Sequence, residues 1–280
     1  MDTNVFLIVL LATIMHAAWN GMVKKHPDKV VAVSGVVFGH VPCSIIAIIF
    51  LPIPSVECIP YIIVSAIIHQ GYHWYLLSSY QIGDLTTVYP IARGSGPLVA
   101  TLISILVLGL VLDNLIILSI CLICLGIMFL GFYDQKGNKK SKIIQYSLFT
   151  GFFIGLYSLV DGYGARVSLS AFTYISWSFI LSAILFPLVL KIKKHDNIFK
   201  RVKNKGKQIF WIGGTLSFSI YSIVVWAFTK APIPMVGALR ETSIFFSIFI
   251  GYFFLQEKIT TIKIVSIILV LVGVIGLKVF

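Results

Sequence analysis

Arg93 stands inside an apolar run, 85–109, within the stretch Tyr89-Pro90-Ile91-Ala92-Arg93-Gly94-Ser95-Gly96-Pro97. A charge, two glycines and two prolines occupy positions where lipid favours Leu and Val. Pro97 has no N–H to give the carbonyl of Arg93, so that oxygen is open to another partner in a loosened helix. A guanidinium beside such a carbonyl reads as a binding site, and intramembrane charge points to function before packing. A buried structural ion pair is the alternative. A second arginine, Arg240, stands in a similar apolar context, followed by Glu241-Thr242-Ser243. Lysine would keep the charge but lose the two-pronged donor geometry.

Other polar residues fall at helical spacing. His16 and Asn20 are four apart and share a face, as do Tyr157 and Asp161. Asp161 in an apolar run either carries a coupling proton or serves as a fixed counterion for an arginine. Glu241 directly follows Arg240; neighbours in sequence do not share a helix face, so it is expected to point toward another helix. His69 and His73 are also four apart, with Tyr72 between them. They can begin a zinc site only if a third ligand converges, and an aromatic cavity wall is the stronger reading. Tyr72, Tyr75 and Trp226 are expected to line that wall, and Thr215, Ser219 and Ser222 form a small polar stripe. The predicted substrate-binding set is Arg93, His16, Asn20, Tyr72, His73, Tyr89, Arg240, Ser219 and Trp226, with Asp161 for proton coupling.

These residues need elements to hold them, and composition says which. Of the 280 residues 58% are hydrophobic and 11% charged, with a mean hydropathy of +0.99. Such a chain has too little polar surface for a soluble domain. The net charge of +12 sits in short gaps between apolar runs, which excludes a nucleic-acid-binding domain. Ten runs near spanning length lie at roughly 4–23, 31–51, 59–80, 85–109, 114–133, 146–165, 171–190, 208–229, 233–255 and 260–279. In lipid each must satisfy its own backbone, so all ten are predicted as helices. The first has no positive leader and no cleavage site, and reads as a retained helix. Cys43, Cys58, Cys121 and Cys124 make no disulfide framework, and the Cys121/Cys124 spacing reads as helix surface.

Charge sets the orientation. Lys24, Lys25 and Lys29 against Asp28 give +2; Lys136, Lys139, Lys140 and Lys142 against Asp134 give +3. The stretch 191–207 gives +7, and all three gaps fall on one side of a ten-span chain. The other side is neutral. Both termini are therefore expected outside the cytoplasm, in the inner (cytoplasmic) membrane. The 191–207 stretch reads as a topology determinant in a loop.

The chain also repeats. A shift of 147 pairs Arg93 with Arg240, Gly126 with Gly273 and Tyr72 with Ser219; a shift of 141 pairs His16 with Tyr157 and Asn20 with Asp161. The predicted fold class is an all-α integral membrane protein of ten transmembrane helices in two inverted five-helix repeats, 1–135 and 136–280. Both arginines lie about eight residues into their helices, ~12 Å deep in a ~30 Å core.

Ten helices in two halves, Tyr89-Pro90-x-x-Arg93-Gly94 opening the fourth and Gly251…Leu255-Gln256-Glu257-Lys258 closing the ninth, resemble the drug/metabolite transporter superfamily, in its EamA-type ten-helix branch. The resemblance implies a central cavity lined by helices 1, 3, 4, 6, 8 and 9, with 5 and 10 as scaffold. The family often closes helix four with a glutamate too; here Leu110 stands there, so Glu257 reads as a loop cap. His16-Ala17-Ala18-Trp19-Asn20 also resembles a subgroup linked with phosphonate utilisation. The expected function is secondary transport of a small polar, anionic or zwitterionic metabolite by alternating access, not an enzyme's reaction. Export of lipophilic drugs, an intramembrane enzyme using His69, His73 and Asp161, and a lipid-linked sugar flippase are the alternatives. The expected partners are a small-molecule substrate and membrane lipid, the chain acting as a monomer or homodimer. No nucleotide-binding fingerprint is present, and no cofactor or metal is expected.

Overall fold

The computed structural model describes residues 1–83, 85–133, 140–246, 248 and 260–280; side chains 18–22, 24, 85, 86 and 133 lie outside that description. The described chain is all helix, with no strand. In order it runs α1 Thr3–Lys25, α2 Lys29–Phe50, α3 Ile59–Ile82, α4 Leu85–Leu106, α5 Asn114–Tyr133, α6 Lys140–Val167 and α7 Ala171–Ile192. There follow α8 Ile198–Lys205, a π turn Ile209–Gly213 leading into α9 Gly214–Phe228, α10 Ile233–Glu241 and α11 Thr261–Val279. Among the described residues six helices are long and apolar enough to cross a membrane: α2, α5, α6, α7, the Ile209–Phe228 segment and α11. This is a multi-pass membrane protein. The helices α3 and α4 are as long, but carry His69, Gln70, His73 and Arg93. Gly251, Leu255, Gln256, Glu257 and Lys258, and all of residues 134–139, lie outside the described residues.

The polarity of the fold is that of a protein solvated by lipid. Leu11, Ile46, Ile67, Leu102, Ile184 and Ile275 are exposed, while Ser34, Ser65, Ser79, Thr150, Thr173 and Ser176 are buried. Several buried hydroxyls turn back on their own helices, where lipid offers no partner. Ser95 donates to the Ile91 carbonyl at 2.8 Å, Thr101 to Pro97 at 2.7 Å and Thr150 to Tyr146 at 2.7 Å. Without water to drive association, helices meet through small residues. A Cβ on Gly155 would lie 2.8 Å from the Gly96 carbonyl oxygen, so α4 and α6 cross backbone to backbone.

Helix α4 stays helical through Pro90 and Pro97. The loosened helix expected from the sequence is therefore not seen; Ser95 and Thr101 hold carbonyls on either side of the break. The 191–207 stretch is not all loop either. Within it α8 buries Ile198 and Val202 and turns Lys200 and Lys203 outward.

At the far edge α5 packs on α11. A Cβ on Gly126 would meet Leu269 Cβ at 2.9 Å and the Ser266 carbonyl at 3.3 Å; one on Gly273 would meet Ile123 Cγ1 at 2.6 Å and the Ser119 carbonyl at 2.7 Å. The contact is reciprocal.

Candidate substrate-binding cavity

The site begins with one carboxylate between two guanidiniums. Arg240 ends α10, where the chain turns at Thr242, and the turn lets Glu241 fold back on its neighbour. Its Oε1 accepts from Arg240 Nε at 2.9 Å and lies 2.8 Å from Nη2. Its Oε2 lies 2.5 Å from Arg93 Nε on α4, a close charge contact without hydrogen-bond alignment. Glu241 thus touches both its sequence neighbour, which helix geometry argued against, and a neighbouring helix. All three residues are buried. Two positive charges meet one negative charge, leaving +1.

His16 on α1 completes the arginine end. Arg93 Nη2 donates to His16 Nε2 at 3.0 Å, so that nitrogen is an acceptor and the ring proton sits on Nδ1. Tyr89, one turn before Arg93, brings its hydroxyl to 3.5 Å from the same nitrogen. The Tyr89 ring lies under the Arg93 guanidinium at 5.6 Å, and the Tyr221 ring under that of Arg240 at 5.8 Å. Each cation rests against an aromatic surface as well as its carboxylate.

Rings make up much of the remaining lining. His69 stacks on Tyr157 at 4.3 Å, and His40 on Phe179 at 4.2 Å. Tyr221 lies near-parallel to Phe179 at 5.5 Å, and Tyr72 meets Tyr157 edge-on at 5.6 Å. His40 Nε2 reaches Ser217 Oγ at 3.1 Å. His69 Nδ1 is 2.9 Å from the Ser65 carbonyl, which can only accept, so Nδ1 carries the proton. The arginines and the rings line a cavity of about 130 Å³, room for on the order of ten waters.

Behind Tyr221 sits Asp161, fully buried on α6. Among the described residues no arginine pairs with it. Its Oδ1 accepts from Ser65 Oγ at 2.5 Å and Tyr174 OH at 3.0 Å, and its Oδ2 from Tyr221 OH at 2.6 Å. Of the two readings open from sequence, the counterion role is taken by Glu241 and not by Asp161.

The cavity brings together Arg93, His16, Tyr72, His73, Tyr89 and Arg240. The Asn20 side chain lies outside the described residues. Ser219 and Trp226 do not line the cavity: the face α9 turns to it carries Ser217, Ile220 and Tyr221, and Ser219 is two residues, about 200°, from Ser217. Trp226 packs against the apolar core instead. The Thr215 end of the polar stripe faces α2, where Cys43 Sγ reaches Thr215 Oγ1 at 3.6 Å. Sequence reasoning missed His40, Phe179, Tyr221 and Ser217 as lining. A histidine in an otherwise apolar α2 was a usable signal; Phe179 offered none. Among the described residues no group of three His, Cys, Asp or Glu is placed to hold a metal.

Residues 141–279 match the model of the EamA-like transporter family. The second half of the chain carries an EamA-like transporter domain. That domain supplies Tyr157, Asp161, Phe179, Tyr221, Arg240 and Glu241. A solved crystal structure shares the fold across 99% of each chain, with a TM-score of 0.76 at 13% identity. At that identity the likeness is one of fold. No curated protein matches the chain. The EamA-like domain and the shared fold together describe a membrane-embedded, transporter-type architecture.

Proposed function

We propose that the protein is a secondary transporter of a small anionic or zwitterionic metabolite, which binds in the central cavity beside Arg93 and Arg240. The observation that carries this reading is the charge of the site: two buried guanidiniums share one carboxylate, Glu241. A monoanion would neutralise what remains, and charge-assisted hydrogen bonds in a water-poor site are the strong ones. The ring wall argues against a lipophilic cation. Phe179 is stacked on both His40 and Tyr221, and Tyr157 on His69, so these π-faces are engaged with each other.

The transport cycle would rock two inverted five-helix repeats, 1–135 and 136–280, against one another. Reciprocal packing supports this. The same shift of 147 that pairs the arginines carries Gly126, Ser119 and Ile123 onto Gly273, Ser266 and Val270, the residues that meet across α5 and α11. Likewise α3 packs on α6 and α7, as α9 packs on α1 and α2. Asp161 is our candidate for the coupling proton. The positive gaps put the protein in the cytoplasmic membrane with both termini outside the cytoplasm.

A thermal-shift screen of the purified protein tests the substrate class, since ligands that bind only the folded state raise its melting temperature. Carboxylates, phosphonates and amino acids are expected to stabilise it, and lipophilic cations are not. Stabilisation by the cations alone would overturn the reading.

A further inference from the structure

Among the described residues the two ends of the cavity are built differently. Toward the termini lies a packed plug in which Cys58 and Ile62 meet Tyr174, Ile175, Phe228 and Ile233 in one buried apolar cluster. Arg166 ties it down, donating to the Phe228 carbonyl at 3.0 Å and the Ala231 carbonyl at 3.2 Å. Toward the α1–α2 connection Val31, Leu76 and Leu77 belong to another buried apolar cluster, with Tyr80 packed against it. A second hollow opens there, a vestibule lined by His26, Asp28, Gln81 and Lys205. One side chain lines both the vestibule and the central cavity: Tyr80, near the end of α3.

The rim of this vestibule is latched across the two halves of the chain. Arg201 on α8 donates to Asp28 Oδ2 at 2.5 Å. One turn on, the Lys205 carbonyl accepts from His26 Nε2 at 3.0 Å, while His26 Nδ1 lies 2.8 Å from the Asp28 carbonyl and 3.1 Å from the Asp28 nitrogen. Each of these bonds is single, polar and at the surface, where water can replace it.

We propose that the cavity exchanges its contents through the vestibule on the α1–α2 side, and that the Tyr80 ring is the barrier a solute must pass. The route rests on the transporter reading above; the barrier is a property of the fold alone. An anion leaving Arg93 passes Tyr80 and meets Lys205 and His26, with the Asp28–Arg201 pair as the outer tie.

The test measures access, not transport. A cysteine at Thr150, which lines the cavity, is introduced into a background with the four native cysteines replaced by serine; should that background not fold, labelling of the four is subtracted in the native chain. A membrane-impermeant thiol reagent is then applied to sealed vesicles of each orientation. Tyr80→Ala is expected to speed labelling by about tenfold from the vestibule side only, and Tyr80→Trp to slow it. Asp28→Asn with Arg201→Gln is expected to speed it less. Unchanged rates in both Tyr80 variants, or a gain from the opposite side, would overturn the proposal. If anions fail to stabilise the protein while Tyr80 controls labelling, the barrier stands and the substrate class falls.

Discussion

Glu241 and Asp161 are two carboxylates buried to the same degree, each bonded to a residue of the cavity lining, yet they keep opposite company. Glu241 lies between two guanidiniums. Asp161 is surrounded by hydroxyls from α3, α7 and α9. A guanidinium cannot give up its charge, so protonating Glu241 strands two cations in the core. A hydroxyl can turn and accept where it had donated, so Asp161 can take a proton and keep its partners. Burial alone therefore says little about what an acid in a membrane does. Its neighbours decide.

The comparison is broken most forcefully at Glu241. Removing one member of a buried ion cluster costs ~3–5 kcal/mol, because the partners remain charged and dry. Glu241→Gln is expected to lose that much stability, read as a fall in melting temperature and in monodisperse yield. A variant as stable as the parent would mean that water already reaches the arginines. Asp161→Asn is expected to do less to the fold, since the amide oxygen still accepts from the hydroxyls. It is expected to abolish proton-driven accumulation in proteoliposomes and leave substrate exchange intact. Loss of both would give Asp161 a structural role like that of Glu241.

Much of this arrangement is visible in the sequence because charge is rare there. Arg93, Arg240, Asp161 and Glu241 stand out against Leu, Ile and Val, and the apolar runs overlap the described helices. What does not show is which way a polar residue faces when a helix has two polar faces. In α9 serines fall on both sides; the spacing favours the stripe with Ser219, whereas packing turns Ser217 to the cavity. The fold-back of Glu241 depends on α10 turning at Thr242, a local break with no Gly or Pro to announce it. The helix α8 is only eight residues long, and its two buried apolar positions are hidden among lysines. The partners of Asp161 come from three helices distant in sequence, and hydroxyls at such spacing carry no one-dimensional signature.

A third carboxylate gives the mildest version of the same contrast. Asp28 caps α2, accepting from the Val31 N–H at 3.1 Å, and pairs with Arg201 at the surface. Partial burial pushes its carboxyl up, but the hydrogen bond and charge of Arg201 and the Val31 N–H outweigh this and hold it below the ordinary carboxylate range. A depressed folded-state value adds stability that is fully present above ~4, the unfolded value. That stability is lost as pH falls through the lower folded value. The stability gap between the parent and Asp28→Asn is expected to be constant at neutral pH and to close only in acid. A gap that opens in acid would contradict the assigned sign.

The central claim is that the arginine pair binds the substrate's anionic group, and Arg93→Lys tests it most directly. Lysine keeps the charge beside Glu241 but gives up the planar fork that also reaches His16. Equilibrium binding of a stabilising anion to the parent and to monodisperse Arg93→Lys should differ by ~1–3 kcal/mol, the scale of charge-assisted hydrogen bonds. Arg240→Lys, whose guanidinium is the more fully engaged with Glu241, should differ by less. Equal affinity in all three proteins would contradict the anion site and return the cavity to its rings.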